Sequence, residues 1–180
     1  MKTKDITQIS VMIALIIVLG MIPGIPIAVI PVPIVLQNFA IMLVGLLLGG
    51  KRGTIAVLIF MILVILGLPF LSGFHGGLVV FVGPTAGYLF AWMLTPILIS
   101  FINNLISKYT HWKNNFGSLI ISTLFTSICF TYFLAILWLS WQSNISLTSA
   151  FYANLLFIPG DIIKGVIAVF VAQRLMKIMK

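Results

Sequence analysis

The chain has 180 residues, of which 62% are hydrophobic and 7% are charged, and its formal net charge is +8. Soluble domains carry about 25% charged residues, so this composition excludes an ordinary soluble protein and indicates an integral membrane protein. A helix needs about 20 apolar residues to cross a bilayer, so six spans would use nearly the whole chain. We therefore predict a single membrane-embedded domain over residues 1–180, without a separate soluble domain.

Apolar segments separated by short breaks predict six transmembrane helices and hence an all-α bundle. The predicted spans are residues 6–22, 34–49, 53–70, 80–102, 116–141 and 150–176. The first span lacks the short apolar core and the small-residue cleavage site of a secretory signal, so we expect it to be retained.

Basic residues lie at the ends of these spans, and the six-span arrangement places nine of the ten on one side. The nine are Lys2, Lys4, Lys51, Arg52, Lys108, Lys113, Arg174, Lys177 and Lys180. Because Lys and Arg concentrate in cytoplasmic loops, both termini of this multi-pass protein are predicted to be cytoplasmic. The basic residues form no stripe with interleaved aromatic side chains, so we expect no nucleic-acid binding.

Two of the external loops have unusual compositions. Residues 23–33 are apolar but contain four prolines, which disfavour a continuous helix, so this segment is expected to fold over the bundle as a cap. Residues 67–77 contain four glycines and His75. Glycine permits close backbone approach to a ligand, which makes this loop a candidate gate.

Asp161 and Lys164 are the most informative residues, because both lie in an apolar segment long enough to cross a bilayer. Ionisable groups at membrane depth are costly, and they usually face a cavity and carry function. A spacing of three residues puts both on one face of a helix. We therefore predict a small-molecule site inside the bundle, with a structural ion pair as the alternative.

Several short motifs, taken in order along the chain, resemble one family of membrane proteins. They are residues 31–33 (PVP) followed by Gln37, residues 45–53 (GLLLGGKRG), 67–70 (GLPF), 76–77 (GG), 83–88 (GPTAGY) and 159–164 (PGDIIK). Together they resemble the BioY family, the biotin-binding S components of energy-coupling factor transporters. The family often has threonine at the position of Val35 and glycine at that of Ala86, so Val35 receives no ligand-contacting role.

The resemblance implies six helices with cytoplasmic termini in a prokaryotic plasma membrane, and high-affinity capture of biotin from outside the cell. It also implies two kinds of partner, a separate transmembrane T protein and a pair of ABC ATPases, whose work topples the S component in the membrane. Biotin would be the transported ligand, with no cofactor and no metal. The chain has no GxxxxGK[ST] motif for ATP, which fits that division of labour.

Biotin carries a ureido ring, an apolar thioether-containing bicycle and a tail carboxylate. Asp161 can accept a hydrogen bond from a ureido N–H, and Lys164 can donate to the ureido oxygen or to the carboxylate. Thr85 and Tyr88 lie near the start of the fourth span, where they either contact the ligand or serve as a helix cap and an interfacial anchor. Gln37 either contacts the ligand or braces a loop. His75 is a candidate ligand donor in the gate.

Ser10 and Ala14 form a small-xxx-small motif on the first span, of the kind that lets another helix approach closely. It resembles the pattern through which S components dock on their T partner, so we predict partner docking here, with packing inside the bundle as the alternative.

Other functions remain to be weighed. The nearest is an S component for a different vitamin, such as thiamine or riboflavin, because the architecture alone suits either. A membrane enzyme is disfavoured, because the chain has neither an HExxH nor a GxSxG motif and contains only two acidic residues. The single cysteine, Cys129, excludes a disulfide or a cysteine-based metal site within one chain. A structural or assembly subunit would have no need of the buried acid–base pair.

Overall fold

The structure, a computed structural model, describes residues 2–27, 30–110 and 115–178, and it is predominantly helical. The α-helices are α1 (Thr3–Gly20), α2 (Gln37–Ile65), α3 (Ala86–Thr110), α4 (Phe116–Leu124), α5 (Thr131–Ser143), α6 (Leu147–Leu155) and α7 (Ile158–Ile178). A 3-10 turn covers Leu78–Phe81, and a π-helical segment covers Phe125–Phe130. The predicted all-α fold is confirmed.

Helix α2 is a hairpin of two arms, residues 37–48 and 50–65. Gly49 between them has φ 72° and ψ −173°, which is not helical. A straight helix of 29 residues would be about 43 Å long. Instead, Gln37 at one end donates a hydrogen bond to the carbonyl of Phe70 beyond the other end, at 2.9 Å. The two arms therefore run in opposite directions through the bundle, in the place of the predicted second and third spans.

The last two spans are each interrupted. The π-helical segment joins α4 to α5, and there the Thr131 hydroxyl donates to the carbonyl of Thr126, five residues back, at 3.1 Å. Helices α6 and α7 meet at a bend of 51°, so the sixth span is broken and not the single helix expected. Within the described residues, four helices are long and apolar enough to cross a membrane, five with the bent pair taken as one span. Division of α2 into its arms gives six crossing segments.

The proline-rich segment after α1 contains a short antiparallel hairpin of β1 (Ile25–Ile27) and β2 (Ile30–Ile34). Ile25 pairs with Ile34, and Ile27 pairs with Ile30. A two-stranded sheet consists only of edge strands, which tolerate prolines because one face of each backbone needs no partner. The segment is non-helical as predicted, but its strand pairing was not predicted.

Basic side chains collect at the end of the bundle opposite this hairpin. Arg52, beside the Gly49 turn, donates to Asp5 Oδ1 at 2.7 Å and to Gln8 Oε1 at 3.4 Å, which joins the start of α1 to the turn of α2. Helices α3 and α7 also end there, each with a lysine in its last turn. Two members of the predicted basic set, Lys113 and Lys180, lie outside the described residues.

Candidate ligand-binding site

A cavity of about 520 Å³ lies beneath the β-hairpin, at the end of the bundle away from the basic side chains. Cavities of roughly 300–1,000 Å³ suit small organic ligands. All six residues predicted to contact the ligand line it: Asp161, Lys164, Thr85, Tyr88, Gln37 and His75. The structure therefore brings together side chains from segments far apart in the sequence.

Asp161 and Lys164 form an ion pair on one wall of the cavity, with Asp161 buried and Lys164 half-buried. Lys164 Nζ lies 2.7 Å from Asp161 Oδ1, and the exposed fractions of the two side chains are 13% and 8%. Lys164 also donates to the backbone carbonyl of Val35 at 2.8 Å and to Asn38 Oδ1 at 3.0 Å. All three ammonium hydrogens thus have acceptors. One of these acceptors, the carbonyl of Val35, belongs to the residue directly after β2.

Two residues absent from the sequence predictions complete this polar cluster. Asn38 Nδ2 donates to Asp161 Oδ1 at 2.8 Å, and the Tyr132 hydroxyl donates to Asp161 Oδ2 at 2.7 Å. Both carboxylate oxygens are therefore bound by the protein, from α2 on one side and α5 on the other. A carboxylate oxygen accepts more than one hydrogen bond, so Asp161 retains capacity for a ligand donor.

Apolar and aromatic side chains form most of the remaining wall. Trp92, which is 7% exposed, lines the cavity from α3. Phe157, in the break between α6 and α7, packs its ring 6.2 Å from Tyr88 and 6.4 Å from Tyr132, measured between ring centroids. The break in the sixth span thus places an aromatic ring in the cavity directly before the charged residues of α7.

Tyr88 connects α3 to the other half of this broken span. Its hydroxyl donates to Asn154 Oδ1 at 2.7 Å, and Asn154 Nδ2 donates to the carbonyl of Ala150 at 2.8 Å. Asn154 lies in the last turn of α6. The predicted sixth span, residues 150–176, was a single helix with this residue near its start. Tyr88 is therefore a cavity-lining residue with an inter-helix contact, and not only an interfacial anchor.

Gln37 lines the cavity but directs its amide elsewhere. Its Nε2 group donates to the carbonyl of Ile16 at 3.1 Å and to that of Phe70 at 2.9 Å, so both amide hydrogens are used. Of the two alternatives for this residue, bracing is the one that these contacts support. The Gln37 amide joins α1, the start of α2 and the chain that follows α2.

Thr85 and His75 lie at the outer margin of the cavity. Thr85 directly precedes α3, and its carbonyl accepts from the backbone N–H of Tyr88 and of Leu89. His75 belongs to a tight loop in which its carbonyl accepts from the N–H of Leu71 at 3.0 Å. This loop contains Phe74 at φ 60°, a conformation that non-glycine residues seldom adopt.

The predicted docking residues lie away from the cavity. Ser10 and Ala14 are exposed on α1, on the same outward face as Val11 and Val18, which are 56% and 57% exposed. The buried residues of α1 are Ile9, Ile16 and Gly20. The structure therefore does not support the alternative for this motif, in which Ser10 and Ala14 pack inside the bundle.

Comparisons with known proteins agree along the whole chain. The model of the BioY family matches residues 1–180. The chain is 49% identical over 176 residues to the biotin transporter BioY of Lactococcus lactis subsp. cremoris, with 98% of this chain and 92% of that protein covered. It is 36% identical over 177 residues to the biotin transporter BioY of Rhizobium etli, with 98% and 95% covered.

A solved structure also matches nearly the whole length of this chain. It is described as the crystal structure of the S-component for biotin from an ECF-type ABC transporter. The TM-score is 0.90 at 45% sequence identity, and the match covers 98% of this chain and 95% of the other. By sequence, by family model and by fold, the chain belongs to the BioY family.

Proposed function

We propose that this protein is the biotin-binding S component of an ATP-driven importer and captures biotin from outside the cell. The observation that carries the proposal is a cavity of about 520 Å³ with a buried Asp161–Lys164 pair on its wall. The names of the relatives, biotin transporters, and of the similar solved structure support biotin as the ligand.

The charge of the polar cluster decides which end of biotin it receives. Asp161 and Lys164 neutralise each other, and the other members, Asn38 and Tyr132, are uncharged. A neutral cluster offers no uncompensated positive charge for the tail carboxylate. It does offer the remaining acceptor capacity of the Asp161 carboxylate beside the second N–H of the Asn38 amide, and these match the N–H and carbonyl groups of the ureido ring. We place the ureido ring here.

The residues that line the cavity indicate where the rest of the ligand would lie. The bicycle would pack between Trp92 and Phe157, and the tail would point towards the outer margin, where Thr85 and His75 lie. Backbone N–H groups at the start of α3 favour an anion at that margin. We expect biotin to be cargo there, with neither a cofactor nor a metal taking part.

The exposed face of α1 supports assembly with a membrane partner. Ser10 and Ala14 are small, four residues apart and outward-facing, so a second helix can approach closely. We assign this face to the T protein, which would connect the S component to the ABC ATPases. The chain would lie in the plasma membrane with the basic end in the cytoplasm, because cytoplasmic ends collect Lys and Arg.

Titration calorimetry on the purified protein in detergent tests the ligand. Biotin should bind, while thiamine and riboflavin should not. Thiamine is cationic, and the neutral cluster gives it no free negative charge. Mass spectrometry of ligand that co-purifies with the protein provides an independent check. Binding of another vitamin with no binding of biotin would overturn the proposal.

A further inference from the structure

We propose that the indole of Trp138 is the latch that holds a strap, residues 77–85, closed over the ligand cavity. The latch would set how fast the ligand leaves. The identity of the ligand rests on the proposed function, whereas the strap and its contacts do not.

The strap borders the cavity, and its Val80 and Phe81 are half-buried against the core of the bundle. Val79, Val80 and Gly83 line the cavity, as do Pro84 and Thr85. None of the residues in its 3-10 turn, Leu78–Phe81, is buried. A short 3-10 segment without fully buried residues has low local stability, so we expect the strap to depend on the groups at its ends as well as on these two side chains.

Each end of the strap has a hydrogen bond to a different part of the bundle. At the first end, the backbone N–H of Gly77 donates to the carbonyl of Val64 at 2.7 Å. At the second end, Trp138 Nε1 on α5 donates to the carbonyl of Gly83 at 2.9 Å. The second bond is made by a side chain, so a single substitution can remove it and leave the backbone unchanged.

The position of Trp138 follows from a close contact between α3 and α5. A Cβ added to Gly87 would lie 2.6 Å from Trp138 Cβ and 3.0 Å from Ala135 Cα, so the absence of a side chain at Gly87 lets the two helices touch. The Gly83 carbonyl lies one turn before Gly87, within reach of the indole. An ordinary interfacial tryptophan requires no bond of this kind to its own chain.

Aromatic contacts run from the strap to the same indole. The ring centroid of Phe81 lies 6.2 Å from that of Phe90, and Phe90 lies 5.2 Å from Trp138. Trp141 continues the series, with its ring 5.2 Å from Trp138, but it is 72% exposed. The Gly83 hydrogen bond is therefore the feature that separates Trp138 from its neighbour, and Trp141 is a matched control.

The experiment compares Trp138→Phe with Trp141→Phe in a protein that also carries Cys129→Ser and Val80→Cys. Val80 is half-buried and lines the cavity, so a water-soluble maleimide reaches the introduced thiol when the strap opens. Phenylalanine keeps a ring for Phe90 and removes the N–H donor. We expect Trp138→Phe to accelerate both maleimide labelling and biotin dissociation by about 2- to 10-fold, which corresponds to the loss of one hydrogen bond. Trp141→Phe should change neither rate.

A second labelling site, in the strap but already exposed, checks that the effect comes from a change in access and not from a change in thiol reactivity. Leu78 is 69% exposed, so Leu78→Cys should react at one rate whatever residue occupies position 138. If Trp138→Phe does not fold, benzothienylalanine at position 138 gives the same test, because it keeps the two-ring shape and lacks the N–H group.

Two results would overturn the latch. One is unchanged labelling and unchanged biotin dissociation in folded Trp138→Phe. The other is an equal acceleration by Trp141→Phe, which would assign the effect to aromatic packing. If the parent protein does not bind biotin, the proposed function fails, while the labelling rates without ligand still decide the latch.

Discussion

Asp161 is held by groups from three parts of the bundle, and this arrangement explains how a carboxylate is accommodated at a buried position. Lys164 lies on its own helix, Asn38 on the first arm of α2 and Tyr132 on α5. A buried charge is strongly destabilising when its partner is removed, because desolvation is then uncompensated. The three groups must therefore be regarded as one unit with the carboxylate.

The first prediction concerns the charged pair. Asp161→Asn removes a charge-assisted bond to a ligand N–H, which should cost about 1.5–3 kcal/mol, or roughly ten- to a hundredfold in biotin affinity. Lys164→Met should also weaken binding sharply. The double variant should bind little worse than the poorer single variant, because the two residues act together. Calorimetry on all four proteins, with gel filtration as a folding check, measures this. Near-normal affinity in well-folded Asp161→Asn would make the pair a structural brace.

The second prediction concerns the phenol that orients Asp161. Tyr132→Phe removes the bond to Asp161 Oδ2, and the biotin affinity should fall by up to about tenfold. Tyr152→Phe is the matched control, because Tyr152 is 68% exposed. The loss caused by Tyr132→Phe should shrink when Asp161→Asn is already present. Equal losses in both backgrounds would show that Tyr132 acts independently of Asp161.

Individual charged residues could be recognised from the sequence, whereas their uncharged partners could not. Asp161 and Lys164 stand out because ionisable groups are rare in apolar spans. Asn38 lies next to another amide, and Tyr132 lies in a run of hydroxyl and apolar residues, so neither differs from its surroundings. Asn38 is 123 residues from Asp161 along the chain, and Tyr132 is 29 residues from it. Only the tertiary fold shows that these residues are in contact.

At the scale of elements, the end of α1 depends on a close contact at Gly20. A Cβ there would lie 2.3 Å from Gln37 Nε2 and 2.3 Å from the carbonyl oxygen of Phe70. These are the two groups of the brace between α1 and α2. A side chain at position 20 would separate them, and one of them is backbone that cannot rotate away.

The third prediction follows from this contact. Gly20→Ala should lower the thermal stability of the protein in detergent, by about 1–3 kcal/mol if it resembles other overpacked sites. Gly160→Ala should leave stability unchanged or raise it, because a Cβ there meets nothing within 4 Å and alanine favours helix. A thermal unfolding series on the two variants compares them. Similar losses in both would rule out the contact as the cause.

The fourth prediction concerns the outward face of α1. Ala14→Trp should abolish co-purification with the T protein and ATPases and should leave biotin binding unchanged. The bulky ring would block a close helix approach without touching the cavity. Phe133→Trp on α5, at a site that is 61% exposed, is the control and should retain the complex. Loss of biotin binding together with assembly in Ala14→Trp would contradict a role confined to docking.

The elements also show where sequence patterns fail. The prolines of residues 23–33 correctly indicated a non-helical segment. The pairing of β1 with β2 could not be predicted from them, because prolines normally count against strands. The bend between α6 and α7 falls at Leu156 and Phe157, and neither residue disfavours a helix. Pro159 is compatible with the first turn of α7, so it marks a helix start that apolar periodicity alone does not show.

For the whole molecule, the distribution of basic residues is what predicts the orientation of the bundle in the membrane. The cavity opens at one end, and the described lysines and arginines apart from Lys164 collect at the other. The distribution of basic residues between the two ends could be predicted from the sequence, because charges in loops can be recognised without any tertiary contact. The separation of cavity and charge supports an extracellular site with cytoplasmic termini.

The fifth prediction tests this orientation with a matched pair of threonines. In a Cys129→Ser background, Thr148→Cys should be labelled by an impermeant maleimide in intact cells, and Thr110→Cys should be spared. Both positions are exposed, so access depends on the side of the membrane. Cell lysis should make Thr110→Cys reactive. Labelling of Thr110→Cys but not Thr148→Cys in intact cells would invert the orientation and place the cavity inside.

The ion pair described above also bears on how the cavity end of the protein responds to voltage. The opposite charges of Asp161 and Lys164 sum to zero, so a membrane potential exerts no net force on the pair. An unpaired charge moved through 100 mV would exchange about 2.3 kcal/mol with the field. If the proposed function holds, tilting of the empty protein in an energised membrane therefore moves no net charge of this pair through the field. The carboxylate of bound biotin is then the charge that the field opposes, and its inward transfer against an inside-negative potential requires work from outside this chain.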